Sequence, residues 1–423
     1  MKIIKVTNIE KFADKILPKQ PQKNKIIVES ILKNVKKNGD SAIRKYEKKF
    51  SGANISSLRL SQREIKNAYS KINKNELAAL RLSKNRLEKT EYEIKSLLKN
   101  KTINHDGVKI SKKFTSIQSV GCYVPGGLAR YPSSAIMSVV PAKVAGVKRI
   151  VVVSPPNSDG QIDPLTIVAA NICGANEIYK TGGAQSIAAL SYGTKSILKV
   201  DKIVGPGGIF VTIAKSLINE TTGIDMLAGP TELGIIADDS VNPKFVALDL
   251  ISQSEHSSDT FCYLITTSQK LAKSVSNILS ELVPKVQRTK LVKSSLTNNG
   301  FIAICKNKSD MIKLSNILAP EHLQIMTKNP ESISSKVTTS GLILIGNNTP
   351  SSASDYVLGS NHILPTNGFG KIRGSLSVLD FIKVNTQVTC SKQSLSKISK
   401  HLKVLTSSEG LDNHYEAIRG RLE

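Results

Sequence analysis

The pattern of apolar and polar positions divides the chain near residue 120. Between Lys25 and about Lys101, apolar residues recur at three- and four-residue spacing, as at Ile27, Ile31, Leu32 and Val35, which predicts amphipathic helices. A second helical run covers Ser61 to Leu98, and residues 1–20 read as a short extension, polar up to Pro18 and Pro21. From about 120 to 240, β-rich segments alternate with apolar helical ones. Strands are expected at Arg149–Val153, Glu177–Lys180 and Val200–Val204, and helices at Asp163–Cys173, Ala184–Leu190 and Phe210–Ile218. The alternation resumes after Thr231, with strands at Leu233–Ala237, Thr260–Thr266, Phe301–Cys305, Leu323–Met326 and Gly341–Ile345. Helices are expected there at Pro243–Ser254, Gln269–Leu282 and Ser309–Leu318, and the last forty residues return to helical spacing.

Strand–turn–helix alternation implies a parallel sheet covered by helices on both faces. The expected fold is α/β, with two Rossmann-like, doubly wound, mainly parallel lobes, one inserted in the other, and small helical appendages at both ends. The expected division is a main domain of residues 21–122 and 232–376, an inserted domain of residues 123–231, and a tail of residues 377–423. A chain of 423 residues has room for two such cores.

Composition narrows the function classes. The most apolar stretch, Ala135 to Val147, is interrupted by Pro141 and Lys143 and is too short for a membrane span. The first residues lack the apolar core of a signal peptide, so a cytoplasmic protein is expected. A formal charge of +26 invites a nucleic-acid reading. Yet 48 Lys against 11 Arg are spread along the whole chain, and with no Trp there is little platform for base stacking. Nucleic acid is therefore not the expected partner. Five cysteines, odd in number and without a Cys-x-x-Cys pair, argue against disulfides and against thiolate-bound zinc.

Three glycine-bearing corners follow expected strands: Pro125-Gly126-Gly127, Gly182-Gly183 and Gly205-Pro206-Gly207-Gly208. Such corners let backbone approach a ligand beside a helix N-terminus, although none matches the G-x-G-x-x-G fingerprint. Gln253 and His256, three residues apart at the end of an expected helix, share a face. With Asp355 and His414 they would give a nitrogen-and-oxygen donor set suited to a catalytic metal, although spacing alone leaves their convergence open. Glu321-His322, before an expected strand, offers a carboxylate and an imidazole for acid–base work. His362 reads as a loop histidine that packs or caps, and His105 and His401 as solvent-exposed.

Together these segments resemble the histidinol dehydrogenase family. The resemblance is carried by eight runs in order: Gly121-Cys-Tyr-Val-Pro-Gly-Gly127, Thr181-Gly-Gly-Ala-Gln185, Val200-Asp-Lys-Ile-Val-Gly-Pro-Gly207, Ile224-Asp-Met-Leu-Ala-Gly-Pro-Thr-Glu232, Gln253-Ser-Glu-His256, Ala319-Pro-Glu-His-Leu323, Asp355-Tyr356 with Asn361-His-Ile-Leu-Pro365, and Glu409-Gly-Leu-Asp-Asn-His414. It implies two incomplete Rossmann-like units and oxidation of L-histidinol, through the aldehyde, to L-histidine with two NAD. It also implies one zinc per subunit, held by Gln253, His256, Asp355 and His414, which grips the substrate. Glu321 and His322 are implied as the catalytic pair, with Thr231 and Glu409 also meeting the substrate and Tyr123 and Gln185 meeting NAD. The family is homodimeric, so Glu409 and His414 are expected to reach the partner's site.

Three positions depart from the family pattern: Gly208 stands for Asn, Thr231 for Ser, and Leu227 for Pro. The first is expected to cost a side-chain contact with NAD. The main rival reading, a cysteine-dependent aldehyde dehydrogenase, needs a reactive thiolate, and Cys122 is its only candidate.

Overall fold

The computed structural model describes residues 1–16, 24–126 and 130–423; Gly127 and residues 17–20 of the expected extension lie outside them. The chain opens with β1 (Lys2–Lys5) and α1 (Ile9–Ile16), followed by α2 (Lys25–Ser51), α3 (Gln62–Ser70) and α4 (Lys74–Ser96). The second expected helical run is split in two, because Asn73 and Glu76 form a capping box that starts α4 afresh. Residues 101–116, for which the spacing predicts nothing, form the antiparallel pair β2 (Lys101–His105) and β3 (Val108–Ser116).

The first parallel sheet follows: β4 (Ser119–Tyr123), α5 (Pro132–Ala145), β5 (Arg149–Ser154), α6 (Pro164–Cys173), β6 (Glu177–Lys180), α7 (Gly183–Tyr192), β7 (Lys202–Val204), α8 (Ile209–Ile218) and β8 (Gly223–Ile224). Its spatial order is β6-β5-β4-β7-β8. Alternate residues of β5 serve opposite cores: Ile150 and Val152 pack with α5 and α6, Val151 and Val153 with α2 and α7. Burial on both faces is why the strand reads as an unbroken apolar run. The apolar stretch 135–147 is the helix α5, buried nearly all round and carrying Pro141 inside it. Proline cannot donate to the carbonyl four residues back. That carbonyl, on Met137, instead accepts from Asn361 Nδ2 (2.7 Å), which draws in the loop that carries His362.

The second parallel sheet uses β9 (Glu232–Ala237), α9 (Pro243–Ser254), β10 (Phe261–Thr266), α10 (Gln269–Leu282), α11 (Thr289–Asn298), β11 (Phe301–Ile304), α12 (Lys308–Leu318), β12 (His322–Met326), α13 (Glu331–Ser334) and β13 (Leu342–Ile345). Its order is β1-β11-β10-β9-β12-β13, so the short N-terminal extension supplies an edge strand. Helices α2, α3 and α4, expected with the larger domain, share their apolar cores with the first sheet. The reason is the period of their apolar faces, which fit the outer surfaces of α5–α8.

The chain closes with α14 (Ser351–Ser354), β14 (Ile382–Cys390), α15 (Lys392–Ser408) and α16 (Asp412–Arg419). The expected helical tail thus opens with a strand, which pairs antiparallel with β3 over its full length to make the sheet β14-β3-β2. Its β-branched Val384, Thr386, Val388 and Thr389 suit a strand better than a helix. No helix among the described residues is long and apolar enough to cross a membrane.

Candidate active site

The site grows from one turn of chain geometry. In a parallel β–α–β unit the helix runs back along the sheet, so its C-terminal end returns to the edge where the strands begin. Helix α9, started by Pro243 and by Asn242 capping the Lys244 N–H (3.0 Å), therefore brings Gln253 and His256 to the amino edge of the second sheet. On β12, Leu323 and Ile325 enter the core shared with α1 and α12, which turns His322 and Gln324 to the α9 face. Gln324 donates to Asp249 (2.8 Å) one helical turn before Gln253. The layer above it is the site.

There Glu321 and His322 are buried, 7% and 2% exposed, and held by β9. Glu321 Oε2 accepts from the Glu232 N–H (2.8 Å) and from the Thr231 hydroxyl, and the Glu321 N–H donates to Glu232 Oε2 (3.1 Å). Gln253 Nε2 donates to Thr231 Oγ1 (2.8 Å), joining helix to strand. His322 Nδ1 lies 3.3 Å from the Glu232 carbonyl and 3.6 Å from Glu321 Oε2, both acceptors, so this nitrogen carries the proton. Its Nε2 faces Asp355 Oδ1 at 3.3 Å. Asp355 ends the short helix α14, which packs on α9. His362 donates from Nδ1 to the Asp355 carbonyl (2.8 Å) and meets Ser134 Oγ at 3.3 Å with Nε2, so this histidine braces Asp355.

The electrostatics follow from burial among opposite charges. Burial opposes charge on His322, yet Glu321 and Asp355 outweigh it and lift its pKa to about 10. Burial works to raise Asp355, but His322, His362 and His256 hold its carboxyl below the usual range. Burial, with the charge of Glu321 adding, pushes Glu232 up to about 8.

The donor atoms suit a cation. Asp355 Oδ1 and His322 Nε2 are buried and lack a hydrogen-bond partner. Two such acceptors side by side call for positive charge, supplied either by a proton on His322 or by a metal on Asp355. Gln253 and His256 lie at the C-terminal end of α9, where the helix dipole also favours a cation. Among the described residues no three His, Cys, Asp or Glu side chains gather into a metal group within one chain. Gln253, His256 and Asp355 share one neighbourhood; Glu409 and His414 are exposed on the terminal helices, α16 packing chiefly on α15.

The first sheet turns its carboxyl edge to this place. Gly205 leaves β7 at φ +112°, where a Cβ would come within 2.1 Å of the Tyr123 carbonyl at the end of β4. Tyr123 is buried and its hydroxyl accepts from the Gly183 N–H (3.3 Å). Gln185 is 2% exposed and donates to Glu47 (2.8 Å), and its own amide oxygen has no partner. Glu47, on α2, also accepts from Thr181 Oγ1 (2.8 Å) and the Gly182 N–H (2.9 Å), and so braces the whole corner. Sequence reading missed Glu47, because a lone Glu among lysines looks like a solvated face. It also gave no role to Glu232, although the run ending there was visible. Cys122 is fully buried and burial pushes its thiol up to about 12, so the rival mechanism lacks its thiolate.

Comparison with known proteins identifies the family. A family model described as "Histidinol dehydrogenase" matches residues 18–422. A histidinol dehydrogenase of Methanocaldococcus jannaschii is 40% identical, covering 94% of this chain and 92% of its own length. One of Clostridium acetobutylicum is 39% identical, covering 98% and 96%. The crystal structure of histidinol dehydrogenase from Elizabethkingia anophelis superposes with a TM-score of 0.94 at 32% identity, covering 100% of this chain and 98% of that one. On the sequence runs, the α/β architecture and these matches, the chain belongs to the histidinol dehydrogenase family of oxidoreductases.

Proposed function

We propose that this chain oxidises L-histidinol through the aldehyde to L-histidine in two NAD-linked steps, in the cytoplasm, with one zinc per subunit. The observation that carries the reading is the buried pair of His322 Nε2 and Asp355 Oδ1, partnerless and 3.3 Å apart at the C-terminal end of α9. Gln253, His256 and Asp355 would hold the metal, with His414 of a second copy as fourth ligand. When bound, zinc supplies a grip on the substrate's imidazole and amino nitrogens, and NAD supplies the hydride acceptor.

The chain's own groups do the rest. With a cation on Asp355 offsetting the carboxylate charge that lifts it, His322 would keep its proton only on Nδ1, against the Glu232 carbonyl, and take the alcohol proton, and later the hydrate proton, at Nε2. Glu321, fixed by Thr231 and the Glu232 N–H, accepts a proton from the water that adds to the aldehyde. Thr231 keeps the hydroxyl of the family's Ser and lies between Gln253 and Glu321, where it would meet the substrate. The burial of His322, Glu321 and Gln253 would keep the aldehyde from solvent between steps.

The cofactor reading rests on winding. In the order β6-β5-β4-β7-β8 the chain reverses direction between β4 and β7, and open α/β sheets bind ligands at the carboxyl ends beside such a switch. Tyr123 and Gly205 occupy those ends, and Gln185 lies under the neighbouring corner. The dimer reading rests on the third sheet and tail. Val384, Val388, Ile398, Val404, Leu405 and Leu411 are exposed there, an apolar surface suited to a second copy.

The deciding experiment counts NADH formed per L-histidinol, with and without a chelator. Two NADH per substrate, lost on chelation, is expected. One NADH stops the reaction at the aldehyde, and chelator-insensitive turnover removes the zinc.

A further inference from the structure

The run Ile224–Glu232 and the Gly205–Gly208 corner stand out in the sequence, yet two charged residues tied to them take no part in the reaction as proposed. Lys215, inside α8, and Asp225, just after β8, form an ion pair whose side chains are 2% and 0% exposed. A buried ion pair seldom stabilises a fold more than apolar residues of the same size would. Its presence here is explained by what it holds.

Gly205 at φ +112° buries both its backbone polar groups at the switch point. Each needs a partner of opposite kind. Asp225 Oδ2 accepts from the Gly205 N–H (2.8 Å), and Lys215 Nζ donates to the Gly205 carbonyl (3.1 Å). Asp225 Oδ1 accepts from Lys215 and from the Met226 N–H (2.6 Å). Methionine or leucine in these places would leave the glycine's N–H and carbonyl unpaired. The knot is anchored outside the first sheet as well. Arg373 donates to the Asp225 carbonyl and to Asp380 Oδ1 (2.9 Å). Thr212 Oγ1, on α8, donates to the Ala228 carbonyl (2.7 Å), closing the helix on the connector that leads to Thr231.

We infer that Lys215 and Asp225 are positioning residues for the cofactor: without touching it, they set the Gly205–Gly208 corner against Tyr123 and thereby the affinity for NAD. This rests on the reading that NAD binds at the carboxyl edge of the first sheet. Among the described residues, the corner is the one part of that edge whose backbone is held by a charge pair spanning helix and connector.

The test uses the full-length enzyme carrying Lys215→Met with Asp225→Asn, a neutral pair of similar volume. NADH affinity by fluorescence titration and the KM for NAD should both weaken about tenfold, the scale of a displaced binding group. The KM for histidinol and the zinc content should stay as in the parent. A lower melting temperature with unchanged NAD constants overturns the proposal. Should the double variant fail to fold, Thr212→Val loosens the same corner from a partly exposed position; a weaker NAD affinity supports the inference and an unchanged one overturns it. Gly208→Asn, built into open space at the same corner, separates the two readings. If it alters NAD affinity while the double variant does not, the cofactor lies at the corner and the positioning role fails. If neither does, the cofactor reading fails and this one with it.

Discussion

The first sheet begins at its middle strand, β4, adds β5 and β6 on one side, then crosses to add β7 and β8 on the other. The second sheet repeats this from β9, through β10 and β11 and then across to β12 and β13. The winding is shared, but the two sheets turn opposite edges to the site. The first offers its carboxyl edge, where Tyr123, Gly182 and Gly205 stand; the second offers its amino edge, where Glu232, Glu321 and His322 stand. The connector between Ile224 and Glu232 explains the pairing, since it leads from the carboxyl end of β8 straight to the amino end of β9. The carboxyl edge presents glycine corners and helix N-termini, suited to an anionic cofactor. The amino edge receives helix C-termini such as that of α9, suited to a cation.

The comparison breaks most visibly at the amino edge. His322→Ala should lower turnover by about 10²–10⁴-fold, the range for a lost general base, while NADH affinity holds. Steady-state kinetics beside a fluorescence titration check both halves, and unchanged turnover removes His322 from the chemistry. Asp355→Ala should strip zinc from the purified protein, again with NADH affinity retained; full metal content rules out ligation. Mixing His322→Ala with His414→Ala subunits should restore about a quarter of normal activity, because half the random dimers carry one intact site. No recovery on mixing places His414 outside the partner's site.

A smaller effect tests the seam between the lobes. Glu91 on α4 is 2% exposed and accepts from the Val378 N–H (2.6 Å) of the segment returning from the second sheet. Burial lifts its carboxyl to about 7, against the opposing pull of that N–H. The folded chain therefore keeps a proton that the unfolded chain releases from about pH 4.5 upward. Stability should fall as pH rises from there to about 7 and then level off, by up to about 3 kcal/mol at 1.4 kcal/mol per pKa unit. Denaturant melts of Glu91→Gln, which cannot ionise, should lack that slope; an identical slope assigns it to another group. The smallest change belongs to the carboxyl edge. Gly208→Asn, which restores the family's side chain, should tighten NAD by a few-fold, about the worth of one hydrogen bond, as read from its KM. A weaker KM shows that the side chain obstructs the corner.

Much of this fold was legible as period. The α9 span Pro243–Ser254, the α10 span Gln269–Leu282 and the β6 span Glu177–Lys180 agree with their expected bounds, since buried strands and capped helices carry strong local signals. The sheet of β2, β3 and β14 was not legible. β14 pairs with β3 from more than 260 residues further along the chain, and although Ile382, Val384 and Val388 alternate with polar residues, β2 and β14 stay mostly exposed and have no half-buried face to announce a strand. Helix α5 hid for the opposite reason: a helix apolar all round has no face to betray its period.

By itself the sequence determined the α/β class, the runs that mark the family, and which side chains have chemistry to offer, because these depend on residue type and short spacing. Only the tertiary structure decided that Glu321 is clasped by Glu232, that His322 faces Asp355, and that Gly205 hangs on Lys215 and Asp225. Each of these joins residues brought together by strand order and helix return, with little or no trace in local spacing. The burial that sets their charge also arises only once the chain has closed around them.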